Sequence, residues 1–135
     1  MATVKPTLTL TSTDALTDSI SLSVTKSLTV GDGNNIYGKI KSTTAYQTIG
    51  LDTAYGASMV YLKNLSTSTS SRLKTQAIEG VIISANDSAD IQIMELSAGE
   101  FALFPWNGTD DLQIKHNGNG TAPFLEYAIF EFPAS

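Results

Sequence analysis

Polar and apolar residues alternate through residues 20–25, ISLSVT, which places the even-numbered apolar residues on one side of an extended chain. The alternation resumes in the same phase at Leu28 and Val30. Residues 31–35, GDGNN, then tolerate positive φ angles and form the clearest turn in the sequence. The pattern predicts one long strand, or two bent strands, ending where the chain reverses.

Short strands of this kind are predicted along the rest of the chain. Residues 7–11, TLTLT, place Leu8 and Leu10 on one side and threonines on the other. Further strands are expected at residues 36–41, 46–51, 57–63, 80–84, 91–96, 101–104, 112–115 and 124–132. Residues 72–79 are the only helix candidate, with a weak apolar face over at most one or two turns, and we expect little or no helix. About nine or ten strands with polar turns between them predict an all-β sandwich or barrel.

Some of the predicted strands are apolar on both faces. In residues 124–132, FLEYAIFEF, the phenylalanines share one side with Glu126, while the residues between them share the other with Glu131. Residues 59–62, MVYL, behave in the same way. Only one face can lie in the core, so the other is covered either by a loop or arm of the same chain or by a neighbouring subunit.

Length and composition indicate one ordered domain. The 135 residues are enough for one hydrophobic core, since 41% of them are apolar and 16% are charged. We expect an extended N-terminal arm or edge strand at residues 1–13, followed by a single β-sandwich domain at residues 14–135. Leu8 and Leu10 are the apolar anchors of this arm and are therefore interface candidates.

Charge and cysteine content exclude several functional classes. Eight Lys and Arg residues, scattered among thirteen Asp and Glu, form no dense basic patch, so we expect no nucleic-acid binding. The absence of cysteine excludes disulfides and thiol catalysis, and one histidine cannot build a multi-histidine metal site. No apolar run is long enough to span a membrane and residues 1–13 do not resemble a signal peptide, so we expect no membrane association.

Polar residues that could carry chemistry do not converge in the sequence. Glu126 and Glu131 have an odd separation on one strand, which places them on opposite faces and argues against a glycosidase pair. His116 begins the turn-like run HNGNG, and no serine lies in a Gly-x-Ser-x-Gly elbow. Four aspartates lack the spacing of a calcium loop: Asp87, Asp90, Asp110 and Asp111. We expect no catalytic, metal or cofactor site, and hence no enzyme.

The single tryptophan, Trp106, is the remaining aromatic candidate. It follows Phe104 and Pro105 and precedes a flexible Asn-Gly, a position from which an indole can stack on a sugar ring. At the end of a strand, tryptophan more often closes a core or anchors an interface. Trp106 is therefore an interface candidate.

Several motifs resemble those of small virion proteins of tailed bacteriophages. The opening residues 2–10, ATVKPTLTL, and the Thr/Ser/Asp stretch after them are similar to the start of such proteins. Residues 60–64 (VYLKN), residues 96–101 (LSAGEF) with the following Phe104-Pro105, and residues 125–128 (LEYA) resemble the same group. The likeness covers most of the chain, and its motifs are structural ones without invariant chemistry.

This resemblance implies an antiparallel, jelly-roll-like β-sandwich that decorates or cements the capsid, commonly as a trimer. We therefore expect a non-enzymatic structural protein of a bacteriophage virion, made in the host bacterial cytoplasm. Its partners would be further copies of itself, as a homotrimer, and the major capsid protein or other virion proteins. A tail or neck protein of the virion and a glycan- or receptor-binding β-sandwich module remain as alternatives. A binding module predicts an exposed groove lined by aromatic or Asp and Asn residues.

Overall fold

The described part of the chain is built entirely from antiparallel β-strands. The computed structural model describes residues 2–31, 35–49, 56–68, 73–78, 91–106 and 111–133, and every regular element in these ranges is a strand. This confirms the all-β prediction. The twelve strands are β1 (Ala2–Val4), β2 (Thr7–Ser12), β3 (Ile20–Thr25), β4 (Leu28–Val30), β5 (Ile36–Lys41), β6 (Gln47–Thr48), β7 (Ser58–Asn64), β8 (Leu73–Ile78), β9 (Ile91–Leu96), β10 (Phe101–Trp106), β11 (Asp111–His116) and β12 (Phe124–Glu131).

Two four-stranded sheets enclose the core. Their strand orders are β10-β7-β12-β5 and β6-β11-β8-β9. The pairing is nested, because β5 pairs with β12, β6 with β11, β7 with β10 and β8 with β9. From β5 onward the chain therefore behaves as one long hairpin folded over on itself, and its successive strand pairs belong alternately to the two sheets.

Alternation along the strands decides which side chains enter the core. In β7, exposure alternates strictly, and Val60 and Leu62 are at most 1% exposed while the residues between them are half-buried. Side chains from both sheets meet in one buried cluster, which makes the two sheets a sandwich. Its members are Ile49, Val60, Leu62, Leu96, Leu112, Ile114, Leu125 and Ile129.

Polar groups join the two sheets at one end of the core. Asn64, at the end of β7, is fully buried, and its amide donates to the Leu96 carbonyl in the other sheet at 3.0 Å. The turn that follows Leu96 reverses the chain into β10, and Gly99 there has a φ of 78°, a backbone conformation that favours glycine. Pro105 lies in β10 at the edge of its sheet, where a missing N–H interrupts no ladder.

The prediction of little or no helix is confirmed for the described residues, and the weak helix candidate at residues 72–79 is a strand where it is described. Residues 73–78 form β8, which pairs with β11 on one side and β9 on the other. A backbone hydrogen-bonded to two neighbours outweighs a weak apolar helical face. The described residues hold more strands than the nine or ten predicted, because β1 and β8 were not predicted as strands. The run at residues 20–30 forms two strands, β3 and β4, which is one of the two forms predicted for it. The strand predicted at residues 80–84 lies outside the described residues.

Residues 2–30 form a two-stranded antiparallel ribbon, here called the N-terminal ribbon. Ala2 pairs with Val30 at its base and Ser12 pairs with Ile20 near its tip, with no change of register between them. The Lys26 amide donates to the Pro6 carbonyl at 3.2 Å and bridges the β1–β4 and β2–β3 segments. The predicted arm at residues 1–13 thus contributes one strand of this ribbon.

Replacing Leu62 by alanine tests the assignment of the core. Leu62 is fully buried between the sheets, so we expect Leu62→Ala to lower the free energy of unfolding by about 2–5 kcal/mol. Leu103→Ala is the matched control, because Leu103 lies on the neighbouring strand of the same sheet but is 45% exposed. Urea denaturation at low protein concentration measures both. Equal losses for the two variants would contradict the assigned faces.

Candidate functional site

The large apolar side chains that remain exposed in the described residues fall on two surfaces. Five belong to the outer part of the N-terminal ribbon and four to the outward side of the β10-β7-β12-β5 sheet. They are Leu8, Leu10, Leu16, Leu22 and Val24 on the ribbon, and Tyr37, Phe101, Leu103 and Phe124 on the sheet. Contiguous apolar surface of this kind is characteristic of interaction sites.

The ribbon face consists of Leu8, Leu10, Leu22 and Val24. Leu8 lies directly opposite Val24 and Leu10 directly opposite Leu22, so the four side chains form two cross-strand pairs on one side of the ribbon. Each is 53–63% exposed. The threonines and serines that form the other side, at Thr7, Thr9, Thr11, Ser21, Ser23 and Thr25, are exposed as well. An isolated two-stranded ribbon is at best marginally stable in water, so this segment lacks the packing that normally stabilises strands.

The base of the same ribbon is anchored in the domain. Val30 is 1% exposed and Leu28 is 9% exposed, although both continue the register and phase of the ribbon face. The Gly31 amide donates to the Glu131 carbonyl at 2.8 Å and ties this end of the ribbon to β12. One apolar stripe is therefore buried at its base and bare over its outer half.

The outer sheet face comprises Tyr37, Phe101, Leu103 and Phe124 together with the half-buried residues Met59, Tyr61 and Phe130 between them. The register places Leu103 opposite Tyr61. On the next two strands, Ala128 lies opposite Tyr61 on one side and opposite Tyr37 on the other. Aromatic and aliphatic side chains therefore form a continuous row across all four strands. The opposite faces of these strands fill the core. In the described residues, the strands predicted to be apolar on both faces do have one apolar face buried and one substantially exposed.

A hydrogen-bonded carboxylate lies at the centre of the outer sheet face. The Tyr37 hydroxyl donates to Glu126 Oε2 at 2.6 Å, and the Tyr61 hydroxyl donates to Glu126 Oε1 at 3.0 Å. Lys39 and Lys63 occupy the positions directly opposite Glu126 on the two flanking strands. The three hydrogen-bonded residues are called the Tyr-Glu-Tyr cluster below.

The cluster keeps all three groups in their ordinary charge states over a wide pH range. The hydrogen bonds from Tyr37 and then Tyr61 lower the pKa of Glu126, with a smaller contribution from the two lysines. The bond to Glu126 raises the pKa of Tyr37, and burial followed by the same kind of bond raises the pKa of Tyr61. The carboxylate stays ionised and the phenols stay protonated, an arrangement suited to holding three strands in register rather than to proton transfer.

A shallow groove of about 620 Å³ adjoins the outer sheet face. The groove is lined by residues 65–68, residues 121–124 and Lys39. The groove presents hydroxyl groups and the ring of Phe124, which is 49% exposed. This combination of an aromatic ring and hydroxyl groups is the feature closest to the groove that a glycan-binding module predicts.

The structure separates the predicted interface candidates. Leu8 and Leu10 are exposed on the ribbon face. Trp106 instead lies half-buried at the end of β10, on the inward side, where it packs against the core and meets Phe104 edge to face at 6.2 Å between ring centroids. Trp106 therefore closes one side of the core, and its role at an interface stays a prediction.

The candidate catalytic residues do not come together. Glu126 belongs to the Tyr-Glu-Tyr cluster, whereas Glu131 Oε1 accepts a hydrogen bond from the Gly56 amide at 3.1 Å. His116 is 4% exposed at the end of β11, and its Nε2 lies 2.7 Å from the Asn119 carbonyl oxygen. Each side chain thus has a local structural partner.

The described ranges contain neither a metal-binding cluster nor a membrane-spanning helix. Within them, no group of three or more His, Asp or Glu residues is placed to hold a metal ion. None of the elements there is a helix with the length and hydropathy needed to cross a membrane. Of the four aspartates considered as calcium ligands, Asp87, Asp90 and Asp110 lie outside the described residues, and only the backbone of Asp111 is described, in β11.

Sequence reasoning missed the Tyr-Glu-Tyr cluster. The available signal was the strict alternation in residues 36–41, IYGKIK, which places Tyr37 and Lys39 on one side of β5. Pairing of the first and last strands of the sandwich then brings Tyr37 to Glu126 across 89 positions of sequence. Local patterns carry no information on a contact of that separation.

Replacing Glu126 tests the electrostatics of the cluster. In Glu126→Gln the anionic acceptor is lost, so we expect the pKa values of Tyr37 and Tyr61 to fall toward the ordinary value of 10.0. Tyrosinate absorbance as a function of pH measures the change. Glu131→Gln, with the same charge change on the same strand, is the control and should leave these phenols unaffected. Identical titration curves for all three proteins would disprove the coupling.

The same variant predicts a pH dependence of stability. Because folding lowers the pKa of Glu126, its stabilising contribution is fully present above the ordinary value of 4.5 and is lost as the pH falls through the lowered value. Because folding raises the pKa values of the two phenols, their contribution is present below 10.0 and is lost at higher pH. The stability difference between the wild type and Glu126→Gln should therefore be greatest between these limits. Denaturation at several pH values measures it, and a constant difference would contradict the assignment.

Comparison with known proteins identifies no relative, so the fold and the candidate site are interpreted from this chain alone. No protein-family model, no curated protein and no solved structure matches it. The resemblance to small virion proteins of tailed phages thus stays a prediction based on the motifs quoted above.

Proposed function

We propose that this chain is a non-enzymatic structural protein of a bacteriophage virion, which decorates or cements the capsid surface by contacts with further copies of itself and with the capsid protein. The observation that carries the proposal is the division of the exposed large apolar side chains into the ribbon face and the outer sheet face. A protein that works as part of an assembly needs such surfaces, because apolar area buried between subunits supplies most of the association free energy.

The strand order also supports this role. Eight strands in two sheets, with the first paired to the last and the pairing nested inward, are compatible with the jelly-roll-like sandwich that the resemblance implies. Jelly-roll sandwiches are common in viral capsid proteins and also in lectins. The fold is therefore compatible with both the virion role and its alternative, and the exposed surfaces are the feature that favours the virion role.

The placement of polar residues favours a role without catalysis. Glu126 is held by two phenols, Glu131 by a backbone amide, and His116 is buried against a backbone carbonyl. General acid–base chemistry requires such groups to converge on one substrate position. In the described part of the chain these three groups each satisfy a structural partner instead.

Particle binding tests the proposal directly. Particles of the phage that encodes the chain, prepared with its gene deleted, are mixed with increasing amounts of the purified protein. We expect saturable co-sedimentation at a fixed number of copies per particle, measured by quantitative mass spectrometry. Particles of an unrelated phage serve as the control. Absence of saturable binding, together with absence of the chain from wild-type particles, would refute the proposal.

Glycan binding is the second candidate, favoured by the groove beside Phe124. It predicts a signal on a glycan array that is lost in Phe124→Ala, because an exposed ring in a hydroxyl-lined groove would stack on a sugar. Phe101→Ala is the matched control, since Phe101 is an exposed phenylalanine on the same sheet face outside the groove. The structural role predicts no glycan signal for any of the three proteins.

A further inference from the structure

We propose that the ribbon face of one copy docks on the outer sheet face of a second copy of this chain. This inference deepens the proposed function, since it names the surfaces through which copies assemble, and it rests on that function's requirement for self-association. Four observations carry it. The apolar stripe of the ribbon continues outward from its buried base, and the outer sheet face is apolar as well. The tip of the ribbon and the outer sheet face have opposite charges, and the two surfaces differ from each other in structure.

The apolar stripe of the N-terminal ribbon continues beyond the domain that buries its base. Val30 and Leu28 are packed in their own domain, and the unshifted register carries the same side of the ribbon outward to Leu8, Leu10, Leu22 and Val24. The base of the ribbon is fixed to β12 by the hydrogen bond from Gly31. The outer half of the ribbon, with the exposed part of the apolar stripe, is therefore available to contact a neighbouring surface. Burial of this half requires an apolar surface from outside the ribbon.

The chain itself carries a surface of the required chemistry. The four exposed large apolar side chains that are not on the ribbon all lie on the outer sheet face. Contact between these two surfaces in different copies would remove both from water together. A strand of six residues is about 20 Å long, and two paired strands are about 5 Å apart, so the outer part of the ribbon fits within a four-stranded sheet.

The tip of the ribbon and the outer sheet face carry opposite charges. Residues 7–13 and 19–25 contain no charged side chain, and the tip between them carries Asp14 and Asp18, a charge of −2, whereas Lys5 and Lys26 lie toward the base of the ribbon. The outward side of β5, β7 and β12 carries three lysines and one glutamate, a charge of +2, in a chain whose net charge is −5. These residues are Lys39, Lys41, Lys63 and Glu126. Docking of the ribbon on this face therefore pairs an acidic tip with a locally basic sheet.

The two surfaces are unlike each other, which makes the contact heterologous. Such a contact generates a closed ring when the rotation between copies closes, and the expected trimer is one ring of this kind. Docking of ribbon on ribbon would be isologous instead, and it would leave the outer sheet face in water. Docking of ribbon on sheet is favoured because it covers both apolar surfaces with one kind of contact.

A pair of double variants tests the ribbon face. Leu10→Glu/Leu22→Lys places opposite charges at one cross-strand pair, which preserves ribbon pairing while removing two apolar contacts. We expect self-association, measured by light scattering over a concentration series, to weaken by at least about 100-fold. Thr9→Glu/Ser23→Lys introduces the same charges at the adjacent pair on the opposite side and should change association by no more than a few-fold. Equal behaviour of the two double variants would overturn the inference.

Cross-linking tests the docking partner without depending on these variants. The chain contains no cysteine, so Leu10→Cys and Leu103→Cys introduce unique thiols on the ribbon face and the outer sheet face. Mixed and treated with a short bismaleimide, the two proteins should give mainly cross-links between unlike chains. Ser23→Cys in place of Leu10→Cys is the control and should give few. Cross-links confined to pairs of Leu10→Cys chains would indicate ribbon-to-ribbon docking and overturn the inference.

Failure of this inference differs from failure of the proposed function. If copies associate through other surfaces, Leu10→Glu/Leu22→Lys still assembles and still binds particles, which overturns the docking inference alone. If the chain is not a virion protein, the docking experiments give the expected results while the wild type shows no saturable binding to particles, which overturns the proposed function alone.

Discussion

A strand has two faces, and the single core of this sandwich can bury only one of them. Between the β10-β7-β12-β5 and β6-β11-β8-β9 sheets, strict alternation brings Val60, Leu62 and Leu125 inward. The same alternation turns Tyr61, Leu103 and Phe124 outward. The apolar residues on the outward side therefore cannot enter the core of their own chain. The same holds for the apolar residues of the ribbon face.

Hydrogen bonds of polar side chains fix the relative positions of the sheets and strands at places where apolar packing does not determine them. Asn64 bridges the two sheets at the edge of the core, and Glu126 links β5, β12 and β7 across the outward side. Because side chains alternate with a period of two, a slip of two residues keeps the same face in the core, so burial opposes it less strongly than a slip of one residue. Directional bonds from two phenols to one carboxylate select one register.

Much of the fold was predictable from local pattern, because the period of two is a local property. The strands at residues 36–41 and 91–96 were predicted with their observed bounds, and the phase shared by residues 20–25 and Leu28 proved to be the apolar stripe of the ribbon. The strand β8 was missed because its conformation is set by two neighbours distant in sequence. The candidate site was only half predictable: Leu8 and Leu10 stand out locally, whereas the Tyr-Glu-Tyr cluster depends on pairing across 89 positions.

The position of β12 has a consequence for how the molecule is made. This strand follows the three other strands of its sheet in sequence, yet it lies between β7 and β5. During translation β5 therefore has no strand partner in this sheet until β12 has been synthesised. Non-local closure of this kind slows folding and leaves apolar strands exposed to chaperones in the meantime. A chain that terminates before β12 lacks one of the two inner strands of this sheet, so its outer sheet face stays incomplete.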